Sequence, residues 1–156
     1  MSTKGENNMK VEYIVMENTY DNALFVERMR YKSYGVKQNI DPSETDYVED
    51  IENGSILVFL CLLDNVPVSA CYISDFHSNL YVDYLFTLPD YQRKQLYYGK
   101  NLLQYILDHK EIVEEYFHHK FTKSVLCPGS SSVIDLYKSL GYKLTNKNDI
   151  QMSKNI

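Results

Sequence analysis

Between Ser55 and Leu88 the chain reads as three apolar runs of strand length separated by two short polar turns. Ser55–Leu63 (SILVFLCLL) is rich in β-branched and aromatic residues. Asp64-Asn65 then turns the chain, and Val66–Ser74 returns as a second run. His77-Ser78-Asn79 makes the next turn, and Leu80–Leu88 (LYVDYLFTL) runs until Pro89 stops it. Such runs, punctuated by Asn- and Asp-containing turns, form hairpins. Three sequential antiparallel strands are therefore predicted, and a sheet this apolar needs helices to cover it.

The flanking segments supply them. Val11–Met16 reads as an opening strand. Asn18 or Thr19 can cap a helix over 20–34, with Leu24, Phe25, Met29 and Tyr31 as its apolar stripe. Residues 41–53 are acidic and polar, a loop with a short helix begun at Asp41-Pro42-Ser43 and ended at Asn53-Gly54. After Pro89, Leu102, Leu103, Ile106 and Leu107 mark one face of a helix over 97–109. Residues 110–119 continue it or form a second helix. Lys120–Cys127 is strand-like, and Pro128-Gly129 breaks it. A compact helix over 130–140 stops at Gly141, and 142–144 with 150–153 form a last pair of strands. The predicted fold class is mixed α/β: a central, mostly antiparallel mixed sheet flanked by helices, spanning 11–156 behind a disordered tail over 1–10.

Composition narrows the function. The chain has 156 residues, 44% hydrophobic, enough for one domain with a core that needs no disulfide or metal staple. No apolar run approaches the roughly 18 residues of a membrane span, and the N-terminus lacks the order of a secretory signal. The net charge of −5 argues against a nucleic-acid or anionic-membrane partner. Cys61, Cys71 and Cys127 are odd in number, without metal spacing, and read as buried free thiols of a reducing, cytoplasmic compartment. His77, His109, His118 and His119 follow no ligand spacing, so no metal is expected.

Against that acidic background, Arg93, Lys94 and Lys100 form one local basic cluster. It lies between a strand and a helix start, where unpaired N–H groups and the helix dipole favour an anion such as a diphosphate. On these residues alone, a solvated basic turn is the slightly simpler account.

Residues 82–103 (VDYLFTLPDYQRKQLYYGKNLL) resemble the acetyl-CoA motif of the GNAT (GCN5-related) N-acetyltransferases. In that family a strand passes through a Pro-x-Tyr-[Gln/Arg] turn into a [Gln/Arg]-x-x-Gly-x-[Gly/Ala] loop and helix. Residues 130–142 (SSSVIDLYKSLGY) resemble the family's N-x-x-A-x-x-x-Y-x-x-x-G-[FY] helix, with Tyr137, Gly141 and Tyr142 in register. Two alignments of the loop are open. In the preferred one Lys94 takes the first basic position, Tyr97 replaces the first glycine and Gly99 matches the last. In the other, Gln92 takes the first position, Gln95 and Tyr97 replace both glycines, and two extra residues precede Leu102-Leu103. Ser130 stands where the family has Asn.

The resemblance implies transfer of an acetyl group from acetyl-CoA to a primary amine of a small molecule or peptide, by direct attack in a ternary complex. It implies that Phe86, Thr87 and Leu88 pair with the pantetheine amides, with an oxyanion donor near Thr87. It implies that Arg93, Lys94, Gln95, Leu96, Tyr97, Tyr98, Gly99 and Lys100 hold the pyrophosphate end, and that Ser130 reaches the pantetheine arm. Tyr137 is the implied general acid and Asp83 the candidate base. The acceptor groove would draw on Tyr31, Tyr34, Asp41, Glu44, Asp46, Glu49 and Asp50, although a solvated acidic loop is the simpler account of those acids. A homodimer is compatible with this reading. The altered glycine loop leaves an alternative open: a non-catalytic acyl-CoA-binding or protein-interaction module on the same fold.

Overall fold

The computed structural model describes residues 9–34, 46–92, 97–145 and 151–156. The opening strand β1 (Val11–Val15) leads into helix α1 (Tyr20–Ser33). Thr19 caps that helix, its Oγ1 accepting the Asn22 N–H at 3.1 Å. Helix α2 (Asp46–Glu52) follows; the helix-start signal at Asp41-Pro42-Ser43 lies outside the described residues. The meander β2 (Leu57–Leu63), β3 (Val66–Phe76) and β4 (Asn79–Thr87) is as expected. Both of its turns place adjacent residues in the left-handed region, Asp64-Asn65 at φ 52° and 69° and His77-Ser78 at 51° and 66°. That is the geometry a tight hairpin demands.

Pro89–Tyr91 forms one 3₁₀ turn before helix α3 (Tyr98–Asp108). The ambiguous 110–119 segment is a separate helix α4 (Lys110–Phe117). Strand β5 (Lys123–Leu126) comes next, and the predicted helix over 130–140 divides into a 3₁₀ turn, Ser131–Val133, and helix α5 (Ile134–Ser139). Strands β6 (Lys143–Leu144) and β7 (Met152–Asn155) close the fold.

The seven strands lie in the order β1-β2-β3-β4-β5-β7-β6. Every described neighbour pair is antiparallel except β4 with β5. The last strand, β7, therefore sits between β5 and β6. One sheet face packs against α3 and α5 through Phe59, Ile73, Leu102, Leu103, Ile106 and Tyr142. The other packs against α1 and α2 through Val26, Ile51, Val58, Ala70 and Tyr72.

Two expectations are corrected. The buried face of α1 is Ala23, Val26, Glu27, Met29 and Arg30, whereas Phe25 is 47% exposed. Apolar periodicity missed this face because two of its members are charged. Glu27 is fully buried and takes Arg30 in a two-point ion pair, Nε to Oε2 at 2.7 Å and Nη2 to Oε1 at 3.1 Å. The Tyr72 hydroxyl donates to the same Oε2 at 2.7 Å, so the buried carboxylate is well partnered. Cys127, expected buried, is exposed, because β5 ends at Leu126, before Pro128. Cys61 and Cys71 are buried free thiols. At the N-terminal end, Lys10 is held at the sheet margin, its carbonyl accepting the Asp64 N–H at 2.8 Å.

Candidate active site

Strand β4 carries the site because it loses one neighbour halfway along. Leu80, Tyr81 and Val82 pair with Ser124, Val125 and Leu126 of β5, and there the pairing stops. Strand β4 continues to Thr87, and an opening of about 280 Å³ lies beyond. It is bounded by Val82, Asp83, Tyr84 and Leu85 on one side and by Leu126, Cys127, Gly129 and Ser130 on the other. A second cavity, of about 410 Å³, runs along the end of β4 to the start of α3 and is lined by Leu85, Phe86, Thr87, Gln92, Tyr97 and Lys100 among others.

The ladder decides which backbone groups face the opening. The Leu88 N–H bonds the Val68 carbonyl at 2.9 Å, and the register here is regular, with Ala70 opposite Phe86 and Ser69 opposite Thr87. Phe86 and Leu88 therefore turn their backbone groups towards β3, and Leu85 and Thr87 turn theirs away from it, towards the opening. Of the three residues singled out in the sequence, Thr87 has this orientation; Leu85 shares it, and only strand alternation could have revealed that. The Thr87 carbonyl is occupied by Gln92 Nε2 at 2.6 Å. Ser69 Oγ donates to the Phe86 carbonyl at 2.8 Å and lies 3.1 Å from Thr87 Oγ1. These bonds hold the strand end in place.

The start of α3 lies against that strand end. A Cβ on Gly99 would meet Thr87 Oγ1 at 3.0 Å, so the absence of a side chain lets the helix approach β4. Tyr97 precedes the helix at φ 49° and ψ 44° without a side-chain cap. This left-handed conformation is one a glycine adopts cheaply. The Tyr97 ring is 51% exposed and lies 5.5 Å from Lys100 Nζ. Tyr98 instead packs into the core, edge-on to Tyr91. Arg93, Lys94, Gln95 and Leu96 lie outside the described residues.

Asp83 occupies a β-bulge. Tyr84 pairs with Tyr72 and Val82 with Ile73, leaving Asp83 without an opposite residue. Its Oδ2 is buried with no hydrogen-bond partner among the described residues. Burial pushes its carboxyl up to about 6; hydrogen bonds from Ser74 and its own backbone restrain the rise, and the nearby Asp50 charge adds to it. Tyr137, on α5, is buried and lines both cavities. Burial, then the neighbouring Cys71 and Tyr34, push its phenol above the ordinary value of 10. Ser130 is exposed at the rim of the smaller cavity, its Oγ 2.7 Å from Ser132 Oγ.

The acceptor-side residues are only partly described. Tyr34, at the end of α1, lines both cavities, and Asp50 acts on Asp83. Asp41 and Glu44 lie outside the described residues. Sequence reasoning missed Arg30, whose guanidinium lies 4.6 to 5.1 Å from the ring centres of Tyr84, Tyr31 and Tyr47. Among the described residues no cluster of His, Cys, Asp and Glu could hold a metal ion, and no helix is long and apolar enough to cross a membrane.

No protein-family model and no curated protein matches the sequence. Solved structures do match the fold. A PaiA N-acetyltransferase from Thermoplasma acidophilum, in complex with coenzyme A, aligns with a TM-score of 0.65 at 17% identity, covering 95% of this chain and 100% of that one. The ribosomal-protein-S18-alanine N-acetyltransferase of Escherichia coli aligns at 0.63 and 14% identity, over 94% of both chains. An aminoglycoside 6'-acetyltransferase type Ii aligns at 0.66 and 14% identity, over 92% of this chain and 96% of that one. Together with the parted β4–β5 pair, these likenesses establish that the chain has the GNAT acetyltransferase fold.

Proposed function

We propose that this protein transfers an acetyl group from acetyl-CoA to a primary amine by direct attack within a ternary complex. The observation that carries this reading is the opening beside β4, where strand backbone, a carboxyl with one buried oxygen and a buried phenol line two neighbouring cavities.

The pantetheine arm would lie in the larger cavity as an added strand, bonding the outward backbone groups of Leu85 and the outward N–H of Thr87. Its pyrophosphate would sit near the start of α3 and Lys100, where the helix dipole and the ammonium favour negative charge. Gly99 keeps that helix start close to the strand end, so the two halves of the donor site are held together. An outward N–H of Leu85 or Thr87 would donate to the thioester oxygen as it gains charge.

The amine would arrive through the smaller cavity. Its nitrogen forms a bond to the thioester carbon while the carbonyl electrons move to oxygen. Asp83, with a carboxyl near 6 and one oxygen without a hydrogen-bond partner among the described residues, is suited to take the proton the ammonium loses. Collapse of the adduct re-forms the carbonyl and breaks the carbon–sulfur bond. Tyr137, held protonated by burial, would protonate the departing thiolate.

The test is calorimetric titration with acetyl-CoA, followed by a panel of amines and peptides with detection of released CoA thiol. Saturable binding and thiol release that depends on an amine are expected. Absence of binding at millimolar acetyl-CoA refutes the proposal. Binding without release across the panel, unchanged by Tyr137→Phe, favours the non-catalytic acyl-CoA-binding alternative.

A further inference from the structure

The two cavities share four lining residues: Tyr34, Leu85, Val133 and Tyr137. These four residues border both the larger cavity and the opening that holds Asp83, so the boundary between the two, the neck, lies among them. If the thioester oxygen faces the outward backbone of β4 and its sulfur faces Tyr137, the acyl chain must point into this neck. Three of the four stand on elements of regular structure. Leu85 is on a central strand, Val133 is in the 3₁₀ turn before α5, and Tyr137 is on α5 itself. Tyr34 stands at the end of α1 and is 55% exposed, so nothing in its own burial holds it there.

Something else does. The Tyr34 ring meets Tyr84 edge-on, with centroids 6.4 Å apart. Tyr84 in turn lies 4.6 Å from the Arg30 guanidinium. Arg30 is fixed by its two bonds to Glu27, which also receives the Tyr72 hydroxyl. The buried pair thereby anchors Tyr84, the ring against which Tyr34 packs.

We infer that Tyr34, braced through Tyr84 by the Arg30–Glu27 pair, narrows the neck and limits the donor to the shortest acyl chains. Tyr34 would be a specificity-determining residue and Arg30 a positioning residue. The inference rests on the acyl-CoA reading of the site. A hydrophobic pocket discriminates by about tenfold or more for each methylene it cannot accommodate. Affinity is therefore expected to fall by about that factor at each step from acetyl to propionyl to butyryl donors.

Calorimetric Kd values for CoA, acetyl-CoA, propionyl-CoA, butyryl-CoA and hexanoyl-CoA test this on the wild-type chain and on Tyr34→Ala and Tyr34→Phe. The ratio of butyryl to acetyl affinity should rise by about tenfold or more in Tyr34→Ala. It should stay at the wild-type value in Tyr34→Phe, which keeps the ring. Arg30→Lys should give an intermediate ratio at temperatures below its own unfolding midpoint. A wild-type profile flat from acetyl to hexanoyl, or a Tyr34→Ala profile identical to wild type, overturns the inference while leaving the acyl-CoA reading intact. Failure to bind CoA and acetyl-CoA alike overturns both.

Discussion

Replacing Asp83 with asparagine tests the site through its thermodynamics without any knowledge of the acceptor. The Asp83 carboxyl is raised from 3.8 to about 6, chiefly by burial. The folded protein thus binds this proton more tightly than the unfolded chain does. Below about pH 3 the carboxyl is neutral in both states and contributes no penalty. As pH rises from 4 through 6, ionisation costs the folded state more than the unfolded one, so this group's contribution to stability falls. Above pH 6 the loss is complete. The rise from 3.8 to about 6 corresponds to about 3 kcal/mol at 1.36 kcal/mol per pH unit. The Asp83→Asn variant has no such titration.

Urea unfolding of both proteins from pH 3 to pH 8 gives the result directly. The stability difference, variant minus wild type, should climb by about 3 kcal/mol across this window and level off near pH 7. For a domain of this size that amounts to roughly 6–12 °C in Tm. The change is read as a slope, so a constant cost from the introduced amide does not disturb it. Two parallel stability curves would refute the assignment of a raised carboxyl to Asp83. Under the proposed mechanism, kcat/KM in wild type should rise with pH through a limb near 6, and this limb should vanish in the variant.

Other substitutions probe separate parts of the site and core. Tyr137→Phe should lower acetyl transfer by about 10²-fold or more with acetyl-CoA affinity nearly unchanged, since general acid catalysis is worth about that much. Gly99→Ala puts a Cβ 3.0 Å from Thr87 Oγ1; it should cost about 1–3 kcal/mol in urea unfolding and weaken acetyl-CoA binding as the helix start moves from the strand. Glu27→Gln leaves the Arg30 charge buried without its carboxylate and should cost about 3 kcal/mol or more by the same measurement. Tyr97→Gly removes a left-handed strain of about 1 kcal/mol but adds glycine's chain entropy of similar size, so stability should change by less than about 1 kcal/mol.

The meander was legible because its signals agree. Apolar runs alternate with Asp64-Asn65 and His77-Ser78, and these residue types tolerate the positive φ that tight turns require. Helix α3 was legible for the same reason, its four apolar markers all being buried. Helix α1 was legible in extent but not in orientation, since no hydropathy pattern anticipates a buried Glu27–Arg30 pair. In the site, residue identity pointed to Asp83, Thr87 and Tyr137 through a resemblance. The facts that give them meaning are relations between strands. The bulge at Asp83 depends on Tyr72 and Ile73, and the outward turn of Leu85 and Thr87 depends on the phase of the β3 ladder. Neither relation is written in the local sequence.

The placement of β7 between β5 and β6 bears on how the molecule is made. Leu126 bounds one side of the opening, and its antiparallel partner is Met152. Those two residues are separated by a 3₁₀ turn, α5 and β6. During synthesis β5 can pair with β4, but its other edge stays bare until residues 152–155 emerge. The wall of the opening is thus among the last parts of the sheet to be locked, by a contact of long sequence separation. A nascent chain stalled before Met152 would carry an intact meander, with all of its hairpins formed, and an unfinished site.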